Sequence, residues 1–179
     1  GARLLGAAGG EEGGERMRND YASSEALAAL KIAFPNAEYD AEASRPAVYI
    51  GAEELTVFLT FLRDDRALQL TRMENVTAVD WKDRYEMVYH LFSPTLLHWL
   101  TVKVTLVHED APTVPSATAV FPGVEFEERE VYDLMGITFT GHPDLRRVFH
   151  RDDFVGHPLR KDFVPPPPPN IPRIRREGI

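Results

Sequence analysis

The sequence predicts an α+β fold of two layers: helix, two strands, helix and three strands forming a mixed or antiparallel sheet, then one more helix and an extended C-terminal tail. Three observations carry this. Short helical stripes alternate with strand-like runs before residue 107. Residues 97–107 alternate best of the strand-like runs, with Leu100, Val102, Val104 and Leu106 on one side and Trp99, Thr101, Lys103 and Thr105 on the other. Such half-polar alternation suits a sheet that packs helices on one face and leaves the other open. Beyond residue 110, prolines and short turns replace long periodic runs, apart from one helix.

The elements follow in order. Residues 1–19 are rich in glycine and poor in anything that could be buried, so the sequence predicts disorder there. The glycines lack a G-x-G-x-x-G spacing and follow no strand, so they form no dinucleotide fingerprint. Ser23 or Ser24 can cap a helix to about Phe34, with Ala26, Leu27, Leu30 and Phe34 as its apolar stripe and Pro35 as its stop. Short strands are expected near 37–41 and 46–50. A second helix follows Gly51, with Glu53 and Glu54 in its first turn and Leu55, Phe58, Leu59 and Leu62 on its buried face. Strands are expected at 68–80, 84–92 and 97–107. Pro112, Pro115 and Pro122 then imply a loop, and a third helix spans about 124–135 before Gly136. Five prolines at 165–169 form a semi-rigid stretch of roughly 15 Å. The expected organisation is a disordered segment (1–19), an α+β domain (20–140) and docking loops with a proline-rich tail (141–179).

Composition narrows the function. There is no cysteine, which excludes disulfides, thiolate nucleophiles and cysteine-ligated iron–sulfur clusters. The net charge of -8 divides unevenly: residues 142–179 carry eight Arg/Lys against five acids, leaving -11 on the rest. An acidic body argues against nucleic acid as the main partner, and a basic tail suits an acidic docking surface. No run reaches the ~18 apolar residues of a membrane helix, so the sequence predicts a soluble, intracellular chain that reaches a membrane only through a partner.

The richest segment is 124–164. On a helical reading Phe126, Glu130 and Leu134 share one stripe, which places Glu130 on an apolar face and calls for a buried partner. Arg129 and Asp133 are spaced as an i, i+4 pair on the next face, and Glu128 falls in an acid-rich first turn that suits the helix dipole. A near-repeat follows: Gly141-His142-Pro143-Asp144-Leu145-Arg146-Arg147 is echoed by Gly156-His157-Pro158-Leu159-Arg160-Lys161. Each copy restricts the backbone before proline and then presents a leucine and cations, as a rigid docking loop requires. His142, His150 and His157 are spaced too widely to imply a closed metal site. Glu130, Asp133 and His142 could serve a hydrolase or isomerase, but no triad, phosphate loop or metal motif accompanies them. The reading assigns no catalytic, cofactor-binding or metal-binding residue.

The string Glu128-Arg129-Glu130, then Asp133-Leu134-Met135, Gly136, His142, Arg146 and Val148 resembles the signature of the peripheral 30-kDa subunit family of NADH:quinone oxidoreductase, respiratory complex I. Gly141-His142-Pro143 and Gly156-His157-Pro158-Leu159-Arg160-Lys161-Asp162-Phe163 are also similar to that family, and the specific match covers about 121–163. Phe149 departs from it, where a smaller aliphatic residue is usual, and the proline tract and basic end lie outside the shared pattern. The resemblance implies a peripheral-arm subunit without a redox group. FMN, iron–sulfur clusters and the quinone site would lie in other subunits. This chain would dock chiefly on the large quinone-site subunit, near the iron–sulfur subunit next to it. It would sit peripherally on the cytoplasmic side of the cell membrane. Separately from the resemblance, an apolar patch expected around the 137–163 loops, or a sheet edge, would let the isolated chain self-associate. An equivalent subunit of a related membrane-bound hydrogenase or other complex I-like oxidoreductase is the alternative.

Overall fold

The computed structural model describes residues 24–40, 47–165 and 167. Its order is α1 (Ser24–Ala33), β1 (Glu38–Asp40), β2 (Ala47–Ile50), α2 (Leu55–Asp64), β3 (Arg72–Asp80), β4 (Arg84–Ser93), β5 (His98–Val107), β6 (Thr113–Pro115), α3 (Glu125–Met135) and β7 (Thr138–Thr140). The expected α+β class and helix–strand order hold. The expectations for residues 1–19, for a Ser23 cap and for most of the proline-rich, basic tail concern positions outside the described residues.

Five strands form one sheet in the order β1-β2-β5-β4-β3, with β2 parallel to β5 and every other neighbour antiparallel. The β4–β5 register sets Tyr85, Met87, Tyr89 and Leu91 opposite Leu106, Val104, Val102 and Leu100, so one face is continuously apolar. Leu30 of α1 and Leu55, Phe58, Leu59 and Leu62 of α2 belong to the same buried cluster. Each fully buried aliphatic or aromatic side chain there contributes on the order of 1.5–3 kcal/mol. Phe34 locks α1 to α2, edge-on to Phe58 and Phe61 at 4.7 and 5.4 Å. On the opposite face Lys103 pairs with Glu86 at 2.9 Å and donates to the Tyr49 hydroxyl at 3.2 Å.

Three local expectations need correction. The strand predicted from residue 68 begins at Arg72, because the Gln69 amide bonds the Asp65 carbonyl and the Leu70 amide bonds the Leu62 carbonyl, prolonging the turn after α2. A single 3-10 turn, Ala52–Glu54, precedes α2. The proline-rich loop contains a strand: β6 pairs in parallel with β7. Pro115 is the last residue of β6, a position where a missing amide is tolerated.

Candidate functional site

Helix α3 is covered on two sides, and this changes the role of each of its charges. Val131 and Met135 enter the common core, while residues 141–163 run across a second side of the helix. Glu128, Arg129 and Asp133 are buried, whereas Phe126 and Glu130 face solvent. The sequence reading of Glu130 as a buried acid on an apolar stripe is therefore wrong. A stripe of 126, 130 and 134 assumes one covered side; here two covered sides leave Phe126 and Glu130 on an open edge, and only Leu134 of the stripe packs against the core.

Glu128 does more than suit the helix dipole. Its carboxylate accepts from the Ser116 hydroxyl and the Ala117 amide, both at 2.6 Å, and so ties α3 to the loop after β6. Burial pushes this carboxyl up, and the two hydrogen bonds only partly offset that. The His142 ring is enclosed beside it: Nδ1 accepts from the Asp144 amide at 3.0 Å, and Nε2 donates to the Glu125 carbonyl at 3.1 Å. Arg129 does not pair with Asp133. Its guanidinium donates to the Arg146 carbonyl at 3.2 Å, lies 3.9 Å from the carboxylates of Glu125 and Asp144, and stacks over Phe126.

Asp133 is the centre of the arrangement. One oxygen accepts from Arg147 at 2.6 Å and lies 3.1 Å from His150 Nδ1; the other accepts from the amides of Val148, Phe149 and His150. Burial pushes this carboxyl up, but the His150 amide, the Arg147 guanidinium and the other two amides outweigh it. They hold the group far below the usual carboxylate range. An acid with so many donors offers little as a general base.

The second Gly-His-Pro copy completes the end of the helix. Gly136 takes φ +70° and donates to the Tyr132 carbonyl, closing α3 in the left-handed conformation glycine favours. The carbonyls that a helix end leaves open then find partners. His157 Nδ1 donates to that of Asp133, the Leu159 amide to that of Leu134, and Arg160 to those of Met135 and Gly136. A Cβ on Gly136 would fall 2.5 Å from both Arg160 and His157. Burial lowers the His157 pKa, and the neighbouring Arg160 and Arg147 add to that against the bond to the Asp133 carbonyl. Arg160 also donates to the Asp110 carbonyl and covers the Tyr85 ring.

The remaining predicted residues serve the same loop. Gly141 and Gly156 both adopt positive φ, and the Gly156 carbonyl accepts from Arg147. Pro143 lies at the surface and Pro158 is half-buried. Leu145 packs against the core, while Arg146 is exposed and pairs with Asp144. The Lys161 amide donates to Asp80 at 2.8 Å. Asp80, buried at the end of β3, escaped the sequence reading, as did the clamp roles of Ser116, Arg147 and His150. A buried acid ending a strand has no periodic signal; for the clamp, the cue was the density of charge in α3 beside a loop rich in Arg and His.

Fold and site together define a small α+β module whose buried acids hold a preformed loop instead of standing open to a substrate. Among the described residues no helix is long and apolar enough to cross a membrane, and no three His, Asp or Glu side chains converge as a metal site would require. Residues 48–169 match the family described as the 30-kDa subunit of respiratory-chain NADH dehydrogenase. One relative, an NADH-quinone oxidoreductase subunit from Moorella thermoacetica, is 44% identical over 136 residues, 75% of this chain and 90% of that protein. The subunit of the same name from Rhizobium rhizogenes is 49% identical over 115 residues, 63% of this chain but 56% of that protein. A solved chain of the membrane-bound sulfane sulfur reductase, an archaeal respiratory membrane complex, superposes with TM-score 0.66 at 26% identity, covering 86% of each chain. This chain belongs to the 30-kDa subunit family of respiratory-chain NADH dehydrogenase, as the signature in α3 and its loop implied.

Proposed function

We propose that this chain is a non-redox peripheral-arm subunit of an NADH:quinone oxidoreductase, seated on the cytoplasmic side of the membrane through its neighbours. It docks on the large quinone-site subunit, close to the neighbouring iron–sulfur subunit, and supports NADH-to-quinone electron transfer coupled to proton translocation. FMN, iron–sulfur clusters and quinone bind elsewhere in the assembly. The observation that carries this reading is the outer side of the clipped loop. Phe149, Val155 and Leu159 are 62, 85 and 56% exposed, with Val148 and Val164 beside them; Arg147 and Arg160 are turned inward onto α3, while other charges of the loop, such as Arg151 and Asp153, form a polar surround at the surface. Apolar side chains on a prepaid, rigid loop are what a subunit interface needs.

The test is the double variant Phe149→Asp with Leu159→Asp. Its isolated chain should melt within about 2 °C of wild type, since exposed positions carry little stability, and it should be lost from the purified complex. Full retention of the variant would overturn the docking reading. The likeness to a chain of the sulfane sulfur reductase supports a second reading, the equivalent subunit of a related respiratory complex. The co-purifying catalytic subunits discriminate: NADH-binding subunits favour the first, their absence the second.

A further inference from the structure

From Met87 to Val102 the chain contains no Asp, Glu, Lys or Arg, although such residues make up 27% of the protein. The middle of this stretch is the exposed turn between β4 and β5. Leu97 is 65% exposed, and Leu96 and Trp99 are 41 and 38% exposed. Phe92 packs its ring 4.6 Å from Trp99 across the base of the turn. The turn closes without the leucine side chains, because the Ser93 hydroxyl accepts from the Leu96 amide and the Ser93 carbonyl from the Leu97 amide. Leu97 adopts φ +55°, a conformation that strains a bulky residue and suits glycine. The fold thus carries a strained leucine whose side chain it leaves in solvent.

We infer that the Pro94–Leu97 turn, with Trp99, is a second anchoring point, received by an uncharged apolar recess on a neighbouring subunit of the same complex. This rests on the docking reading above and adds a contact to it. The patch is too small for a lone partner or a second copy, since four side chains fall far short of the ~800 Å² each side that a stable pair buries. It suits a partner already held through another surface, where a small contact multiplies affinity by acting intramolecularly. Its place supports this. The loop of residues 156–161 meets the sheet near Asp80 and Tyr85, whereas the turn lies beyond Phe92 on the same strand, roughly 23 Å away at ~3.3 Å per residue.

The variant Leu97→Gly removes the side chain and relieves the strain, so fold and docking should respond in opposite directions. The isolated chain should melt ~2 °C higher, while the fraction retained in the detergent-solubilised complex through graded salt washes should fall about tenfold. Wild-type retention, or a lowered melting point, would overturn the anchor. Flotation of the wild-type chain with phosphatidylcholine–phosphatidylglycerol vesicles, lost in Leu97→Gly while retention is unchanged, would replace the protein recess with a lipid surface. Failure of the wild-type chain to co-purify with any other subunit would instead defeat the docking reading itself.

Discussion

At the scale of single residues, Asp133 and Glu130 show how burial decides the meaning of a charge. They lie three positions apart on α3, yet Asp133 receives donors from four successive residues, Arg147 to His150, while Glu130 stands in solvent. Removing one member of a buried ion pair leaves the other desolvated and unpaired. Asp133→Ala should therefore cost about 3–5 kcal/mol in urea unfolding. Glu130→Ala should change stability by less than about 0.5 kcal/mol, as exposed substitutions do. Equal costs for the two would show that the loop does not depend on the Asp133 carboxylate. The sequence made the string Glu128-Arg129-Glu130 conspicuous but not the division of labour within it. A 3.6-residue period locates one buried stripe, and α3 has two.

At the scale of elements, the end of α3 and the segment carrying Gly156 to Lys161 form one unit. Four successive carbonyls, Asp133 to Gly136, are taken by His157, Leu159 and Arg160. The paired Gly-His-Pro motifs were legible as rigid turns; that their polar groups cap a helix of the same chain was not, because capping is a contact between segments. The unit has a pH signature. Burial lowers the pKa of both His157 and His98. A histidine lowered in the folded state contributes stability above its unfolded value of ~6.5, and that stability is lost as pH falls through the folded value. Glu128, raised by burial, works in the opposite sense, and Asp133 loses its contribution only in strong acid. Between pH 7 and 5.5 the melting temperature should thus fall. The fall should be smaller in His157→Asn, which keeps a donor for the Asp133 carbonyl and cannot titrate; an identical fall in both proteins would mean that His157 is not held neutral.

At the scale of the whole molecule, the sheet was the most legible part. The alternation in β5 named its buried face, and the β4–β5 register continues that face through Tyr85, Met87, Tyr89 and Leu91. The three-residue strands β6 and β7 were not legible, since they are too short for any period and pair across an intervening helix. The assembled molecule turns its buried charges inward to fix a loop and leaves apolar side chains outside on it, so the proposed docking would require little further ordering. That division is tested most directly by amide hydrogen exchange in the isolated chain. The amides of Val148, Phe149 and His150 should be protected before any partner is present, and should lose that protection in Asp133→Asn, which keeps the shape and removes the charge. Exchange of these three amides at free-chain rates in the isolated wild-type protein would contradict a loop preformed on Asp133.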